Sequence, residues 1–96
     1  MEERFKKQLH HHMTKLSHAS KGADDLIHRL RNKVTYYDKY NSAALACAAY
    51  YNVNKTEDAM NKCVEYLATV NEMNLDSKEQ RDGLKMDILR YLRIFQ

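Results

Sequence analysis

An apolar heptad repeat that runs from Phe5 to Tyr51 is the feature that most limits how this chain can fold. One row, at intervals of seven residues, comprises Leu9, Leu16, Ala23, Leu30, Tyr37, Ala44 and Tyr51. The interleaved row comprises Met13, Ser20, Ile27, Val34, Asn41 and Ala48. Only Ser20 and Asn41 are polar, and alternating spacings of three and four residues are typical of a helix in coiled-coil-like packing. The repeat predicts a first helix over about residues 3–51, with a candidate bend at Gly22.

The composition agrees with a helical chain. It contains no proline and only two glycines, Gly22 and Gly83, whereas β-sandwiches and barrels need these residues at their turns. Neither glycine has a second one at the spacing of a phosphate-binding loop. The longest apolar run, over residues 43–51, is too short to cross a membrane.

The second half of the chain begins after a turn at Asn52–Lys55. Thr56 is suited to cap a helix, because Glu57 and Asp58 follow it in the first turn, where the helix dipole favours acids. This helix is expected over about residues 56–74. The segment 76–79 resembles a capping box and favours a separate third helix over about 77–95. The helical spacing of the apolar residues, however, continues without a shift through this segment and favours one continuous helix. The sequence leaves both alternatives open.

The chain is therefore expected to form a single all-α domain over residues 1–96, as a long antiparallel hairpin or a three-helix bundle. Because a six-heptad stripe is longer than a broken second arm can cover, we expect self-association to complete the fold. The residues expected in the core or the interface are Leu16, Ala23, Ile27, Leu30, Val34, Tyr37, Ala44, Tyr51, Leu67, Leu84, Ile88 and Phe95.

No pattern in the sequence points to catalysis, a cofactor or a metal ion. No two of the five histidines lie three or four residues apart on a helix face, as a helical zinc site would need. Cys47 and Cys63 fall on apolar stripes, which is typical of reduced core cysteines in a cytoplasmic protein. We therefore expect no enzyme activity.

The charge is unevenly distributed. Residues 1–41 carry nine Lys or Arg against five Asp or Glu, a balance of +4, and all five histidines, whereas residues 42–96 have a balance of −1. Protonation of the histidines below about pH 6 would raise the first value to +9. Cations spread along a helix suit an anionic lipid surface better than a nucleic-acid groove. The lipid-facing candidates are Arg4, Lys6, Lys7, Lys15, Lys21, Arg29, Arg31 and Lys33.

Several segments resemble the first two helices of BAR-type domains. They are residues 3–9, Lys15-Leu16, residues 23–26, residues 36–40, the small-residue run 43–49 and residues 87–92. The resemblance implies an antiparallel helical dimer that binds and curves membranes with one basic face. A BAR-type protomer has a third long helix, and this chain ends where that helix would begin.

A second resemblance is to the helix–turn–helix of TPR and MIT modules, in residues 48–51, 57–60 and 65–67. It implies binding of a peptide helix. Two functions follow as hypotheses: a non-catalytic, self-associating scaffold at the surface of anionic membranes, or a soluble helical adaptor that binds a helix of a partner protein.

Overall fold

The computed structural model describes residues 2–16 and 38–95, and this part of the chain contains four α-helices and no β-strand. The helices are α1 (Glu2–Lys15), α2 (Lys39–Asn54), α3 (Glu57–Val70) and α4 (Lys78–Leu92), and a short 3₁₀ helix (Arg93–Phe95) follows α4. The expected all-α class is confirmed. None of these described helices is long and apolar enough to span a bilayer.

Asp38 marks the start of a new helix inside the region expected to be one continuous helix. Its backbone is extended, with φ −100° and ψ 177°, and its side chain accepts a hydrogen bond from the backbone N–H of Asn41 at 2.6 Å. Asp is a favoured N-cap residue, and this geometry satisfies one of the free amides at the start of α2. The single helix predicted over residues 3–51 is therefore wrong, and α1 instead packs beside α2. The candidate bend at Gly22 lies outside the described residues.

Helix α2 is the centre of the structure. Every residue from Ser42 to Tyr50 is buried, and α1, α3 and α4 each pack against this helix. A helix that is apolar on all sides is typical of one enclosed by other helices. Five alanines on α2, at positions 43, 44, 46, 48 and 49, leave room for three neighbours to approach closely. The small-residue run therefore forms the middle of a core rather than one stripe of a long seam.

The structure shows how the residues expected in the core or the interface are buried. Fully buried in the core are Leu16, Ala44, Leu67, Leu84 and Ile88. Partly buried and packed against that core are Tyr51 and Phe95. Outside the described residues are Ala23, Ile27, Leu30, Val34 and Tyr37.

A tight turn joins α2 to α3 close to the predicted place, but α2 continues through Asn54, so only Lys55 of the predicted turn Asn52–Lys55 lies outside the helix. Lys55 adopts the left-handed conformation, with φ 51°, and its N–H donates to the carbonyl of Tyr51 at 2.7 Å. Thr56 then caps α3 by accepting a hydrogen bond from the N–H of Ala59 at 3.0 Å. The predicted N-cap at Thr56 is confirmed.

The helical structure is interrupted again between α3 and α4. Glu72 has φ 53°, and the N–H of Met73 donates to the carbonyl of Ala68 at 2.8 Å, which ends α3. Ser77 caps α4 by accepting from the N–H of Gln80 at 3.2 Å. Of the two alternatives left open by the sequence, the structure has the separate helix.

The two cysteines face each other across the α2–α3 contact. Cys47 Sγ donates to the carbonyl of Cys63 at 3.6 Å, and Cys63 Sγ donates to the carbonyl of Cys47 at 3.4 Å. Both thiols are free and fully buried. The contact with the Cys63 side chain, and next the burial, raise the pKa of the Cys47 thiol well above its ordinary value. This environment fits the interpretation of both residues as part of the core.

The packing around α2 predicts that added volume there is costly. Ala46 is fully buried, so Ala46→Leu should lower the free energy of unfolding by about 1–3 kcal/mol. The control Thr69→Leu places the same leucine side chain at an exposed position of α3 and should change the free energy of unfolding by about 0.5 kcal/mol or less. Urea unfolding followed by circular dichroism measures both, and equal values for the two variants would contradict the central role of α2.

Candidate binding cleft

An open cleft lies between α1 and the first turn of α2. Its volume is about 510 Å³. The described residues that line it are Arg4, Lys7, Gln8, His11, His12 and Lys39. Arg4, Lys7, Gln8 and His11 follow the spacing of one helix face, so that α1 presents them together. Lys39 comes from the opposite wall, where the Asp38 cap fixes the beginning of α2.

The cleft has a positive electrostatic character. Arg4, Lys7 and Lys39 are exposed cations on its rim, and they come from two different helices. Asp38 is the acid adjacent to Lys39 in the chain, and its carboxylate is engaged in the α2 cap. Cations held around a concavity strengthen one another's attraction for an anion. The cleft is therefore suited to a negatively charged ligand.

Gln8 places an amide inside this basic cleft. The side-chain oxygen Oε1 is buried and has no hydrogen-bond partner. A buried polar atom without a partner is unfavourable, so a ligand that supplies a hydrogen bond there gains stability from it. The amide can accept through its oxygen and donate through its nitrogen.

His12 forms the inner wall of the cleft. It is buried, and its Nδ1 forms a hydrogen bond with the hydroxyl of Tyr66 on α3. Burial, followed by the nearby positive groups of His11 and Lys39, lowers the pKa of His12 to about 4. Burial also raises the pKa of Tyr66 to about 12. Both side chains are therefore neutral near pH 7, and the bond joins α1 to α3.

The low pKa of His12 corrects one expectation from the sequence. Protonation of all five histidines below about pH 6 would have raised the charge of residues 1–41 to +9. His12 does not take part in that step, because its charged form would be buried among other positive groups. The expected increase is therefore too large by at least this one charge.

The lipid-facing candidates are only partly brought together. Arg4 and Lys7 lie in the cleft, whereas Lys15 is exposed on α1 and does not line it. The side chain of Lys6 lies outside the described part. So do the residues Lys21, Arg29, Arg31 and Lys33.

Four residues that line the cleft were not candidates from the sequence: Gln8, His11, His12 and Lys39. A signal for His12 was available, because it lies three residues after Leu9 and four before Leu16, on the same face of a helix as these two apolar positions. The signal for Lys39 was the preceding Asp38, which is a favoured N-cap residue. Gln8 carries no such signal, because a glutamine on a helix face is ordinarily exposed.

A second group of polar side chains fixes α4 against α2. The hydroxyl of Tyr40 donates to the Asp87 carboxylate, which also forms an ion pair with Arg90 at 2.9 Å. The hydroxyl of Tyr91 donates to Asn41 Oδ1. Burial and then the Asp87 hydrogen bond raise the pKa of Tyr40, and burial raises the pKa of Tyr91. These tyrosines are neutral structural links between two helices.

No group of three or more His, Cys, Asp or Glu side chains within residues 2–16 and 38–95 is arranged to hold a metal ion. No protein-family model matches the chain, and comparison with curated proteins and with solved structures finds no match either.

The pKa of His12 predicts a specific dependence of stability on pH. Because this pKa is about 4 in the folded chain against an ordinary 6.5, the unfolded chain binds more protons between these values. The contribution of neutral His12 to the free energy of unfolding should be fully present above pH 6.5. The free energy of unfolding should fall by about 1–2 kcal/mol as the pH approaches 4, after allowance for solvent screening.

His12→Gln removes this titration and should flatten the decline between pH 7 and pH 4.5, as measured by urea unfolding at each pH. The exposed neighbour His10 provides the control, since His10→Gln should keep the wild-type decline. An unchanged decline in the His12 variant would contradict its buried, neutral state.

The link between α2 and α4 gives a separate prediction. Tyr40→Phe removes the hydroxyl that donates to the half-buried Asp87, so the free energy of unfolding should fall by about 1–2 kcal/mol. Tyr51→Phe is the matched control, because Tyr51 is also half-buried and lies outside this network. Thermal and urea unfolding measure both, and a neutral Tyr40→Phe would show that the link contributes little.

Proposed function

We propose that this protein is a non-catalytic helical adaptor whose cleft binds a carboxylate-rich segment of a partner protein. The observation that carries the proposal is the combination of three cations, Arg4, Lys7 and Lys39, with the unpartnered side-chain oxygen of Gln8 in one cleft. Self-association and a cytoplasmic location, both expected from the sequence, belong to the proposal as well.

The three cations favour a ligand with several negative charges. They are exposed and stand on two helices, so one ligand can contact them from both sides of the cleft. A guanidinium can bind a carboxylate through two parallel hydrogen bonds, and an ammonium group acts as a point charge. Exposed ion pairs are individually weak, and several acids on one ligand are needed for useful affinity.

Gln8 favours a peptide over a phosphate surface. Its buried oxygen needs a donor, and a peptide group supplies both an N–H and a C=O. The phosphate groups of a lipid surface only accept hydrogen bonds at neutral pH. A cleft also admits a narrow peptide more readily than a flat bilayer. The TPR and MIT resemblance is consistent with peptide binding, whereas the BAR-type resemblance implies lipid binding.

A pair of charge reversals on one helix tests the proposal. Lys7→Glu changes a residue of the cleft, and Lys15→Glu makes the same change in charge at an exposed position outside it. The probe is a fluorescein-labelled amphipathic peptide of alternating Glu and Leu pairs, with a matched peptide in which Gln replaces every Glu. Fluorescence anisotropy at about 50 mM salt, where screening is modest, measures the affinity.

We expect the Glu peptide to bind, the Gln peptide to bind at least about tenfold more weakly, and Lys7→Glu to reduce affinity about tenfold. Lys15→Glu should change it less than about threefold. Gln8→Leu should also weaken binding, because the buried amide is lost. No binding of the Glu peptide, or equal losses for the two lysine variants, would overturn the cleft as its site.

Anionic vesicles of phosphatidylcholine and phosphatidylserine form the competing arm of the experiment. If the protein sediments with these vesicles, and if both charge reversals reduce that binding equally while the peptide does not bind, the membrane hypothesis replaces the adaptor. Sedimentation that is absent or independent of salt would contradict electrostatic membrane binding.

A further inference from the structure

The outer face of α4 exposes apolar side chains that the core does not use. Met86 is 62% exposed and Leu89 is 37% exposed, and they lie three residues apart on this helix. The face opposite to them carries Leu84 and Ile88, which are buried against α2 and α3. A single exposed apolar residue needs no explanation, but an adjacent pair on one helix face is a candidate contact surface.

Gly83 lies on the same outer face, one turn before Met86. It is inside a helix, its φ is not positive, and a Cβ added to it would meet no atom within 4 Å. Glycine is a poor residue for a helix interior because it loses more conformational freedom than alanine. Neither the backbone nor the packing of the described chain explains it. A glycine on an exposed helix face permits the close approach of another helix.

The charges on this face change sign along the helix. Glu79 and Asp82 lie in its first half, Arg90 lies in its last turn, and Arg93 follows directly as its C-cap, still in the right-handed helical conformation. With 3.6 residues per turn, all four lie on the side that carries Met86. Arg90 contacts Asp87 within the chain and remains 68% exposed, so it can also reach a second partner. The face is therefore acidic at one end and basic at the other.

We propose that this outer face, defined by Glu79, Asp82, Gly83, Met86, Leu89, Arg90 and Arg93, binds the same face of a second copy in antiparallel orientation. With a two-fold axis at Met86, Glu79 lies opposite Arg93 of the second copy and Asp82 lies opposite its Arg90. With 100° per residue, the side-chain stem of Arg90 of the second copy then passes over Gly83. The charge pattern is self-complementary only in this antiparallel arrangement, and this favours a second copy over another protein.

The inference deepens the self-association included in the proposed function, and its surface is separate from the cleft. Its failure would therefore leave peptide binding by the cleft untouched, and the reverse also holds. The surface differs from the continuous seam expected from the sequence, because Asp38 interrupts that seam. One helix pair with few apolar side chains buries less than about 1,200 Å², so the dimer is weak and depends on concentration.

Sedimentation equilibrium of the full chain, between about 10 μM and about 1 mM, is the main test because weak dimers form in this range. The average mass should rise toward two chains. Met86→Glu should raise the dissociation constant at least about tenfold, whereas the exposed control Val53→Glu should leave it unchanged. A mass of one chain throughout, or equal effects of both substitutions, would overturn the proposal.

Charge reversal tests the orientation. Glu79→Arg and Arg93→Glu should each weaken the dimer of that variant, because each places like charges opposite one another. An equimolar mixture of the two variants should recover association as a heterodimer. No recovery in the mixture would overturn the antiparallel arrangement.

Gly83→Gln separates association from folding. The structure has space for the new side chain, and glutamine is a better helix former, so the melting temperature at low concentration should rise. The same side chain should block the second copy and weaken the dimer. A variant that is more stable and dimerises as well as the wild type would contradict the role given to Gly83.

Discussion

The enclosure of α2 by three other helices is the constraint on which the rest of the described structure depends. Nine consecutive residues of this helix, Ser42–Tyr50, are buried, and most of them are small. Close packing needs side chains of the right volume on every side, because protein interiors leave few voids. The alanines bring α1, α3 and α4 near to a common centre. The cleft then forms where α1 meets the beginning of α2.

Local signals in the sequence predicted more of this structure than its long-range pattern did. The N-cap at Thr56 and the capping-box pattern over residues 76–79 depend on a few neighbouring residues. The structure has the cap, and of the two alternatives left open it has the separate helix. The unbroken seven-residue spacing of apolar positions suggested a continuous helix. Such spacing alone does not distinguish one long helix from two helices whose apolar positions happen to be in register. Asp38, a favoured N-cap residue, is the local signal for the start of the second helix, and the heptad pattern concealed it.

The candidate site was less predictable than the helices. Arg4 and Lys7 could be identified as exposed cations, because they share a helix face. Lys39 joins them only through the packing of α1 against α2, and a sequence pattern does not give that relation. The burial of the Gln8 side-chain oxygen and of His12 likewise depends on which helices come close, and His12 also needs Tyr66 of α3 as its partner.

The central position of α2 has a consequence for how such a protein can change. Residues Ser42–Tyr50 are withheld from solvent, so they cannot contact a ligand without unfolding. Recognition therefore falls to the first turn of α2, where Lys39 is exposed, and to the outer sides of α1, α3 and α4. Each of these helices reaches the centre through its own buried residues. Substitutions on one outer side can therefore alter a binding preference while the scaffold and the other sides stay the same. A chain of this design can acquire new partners one surface at a time.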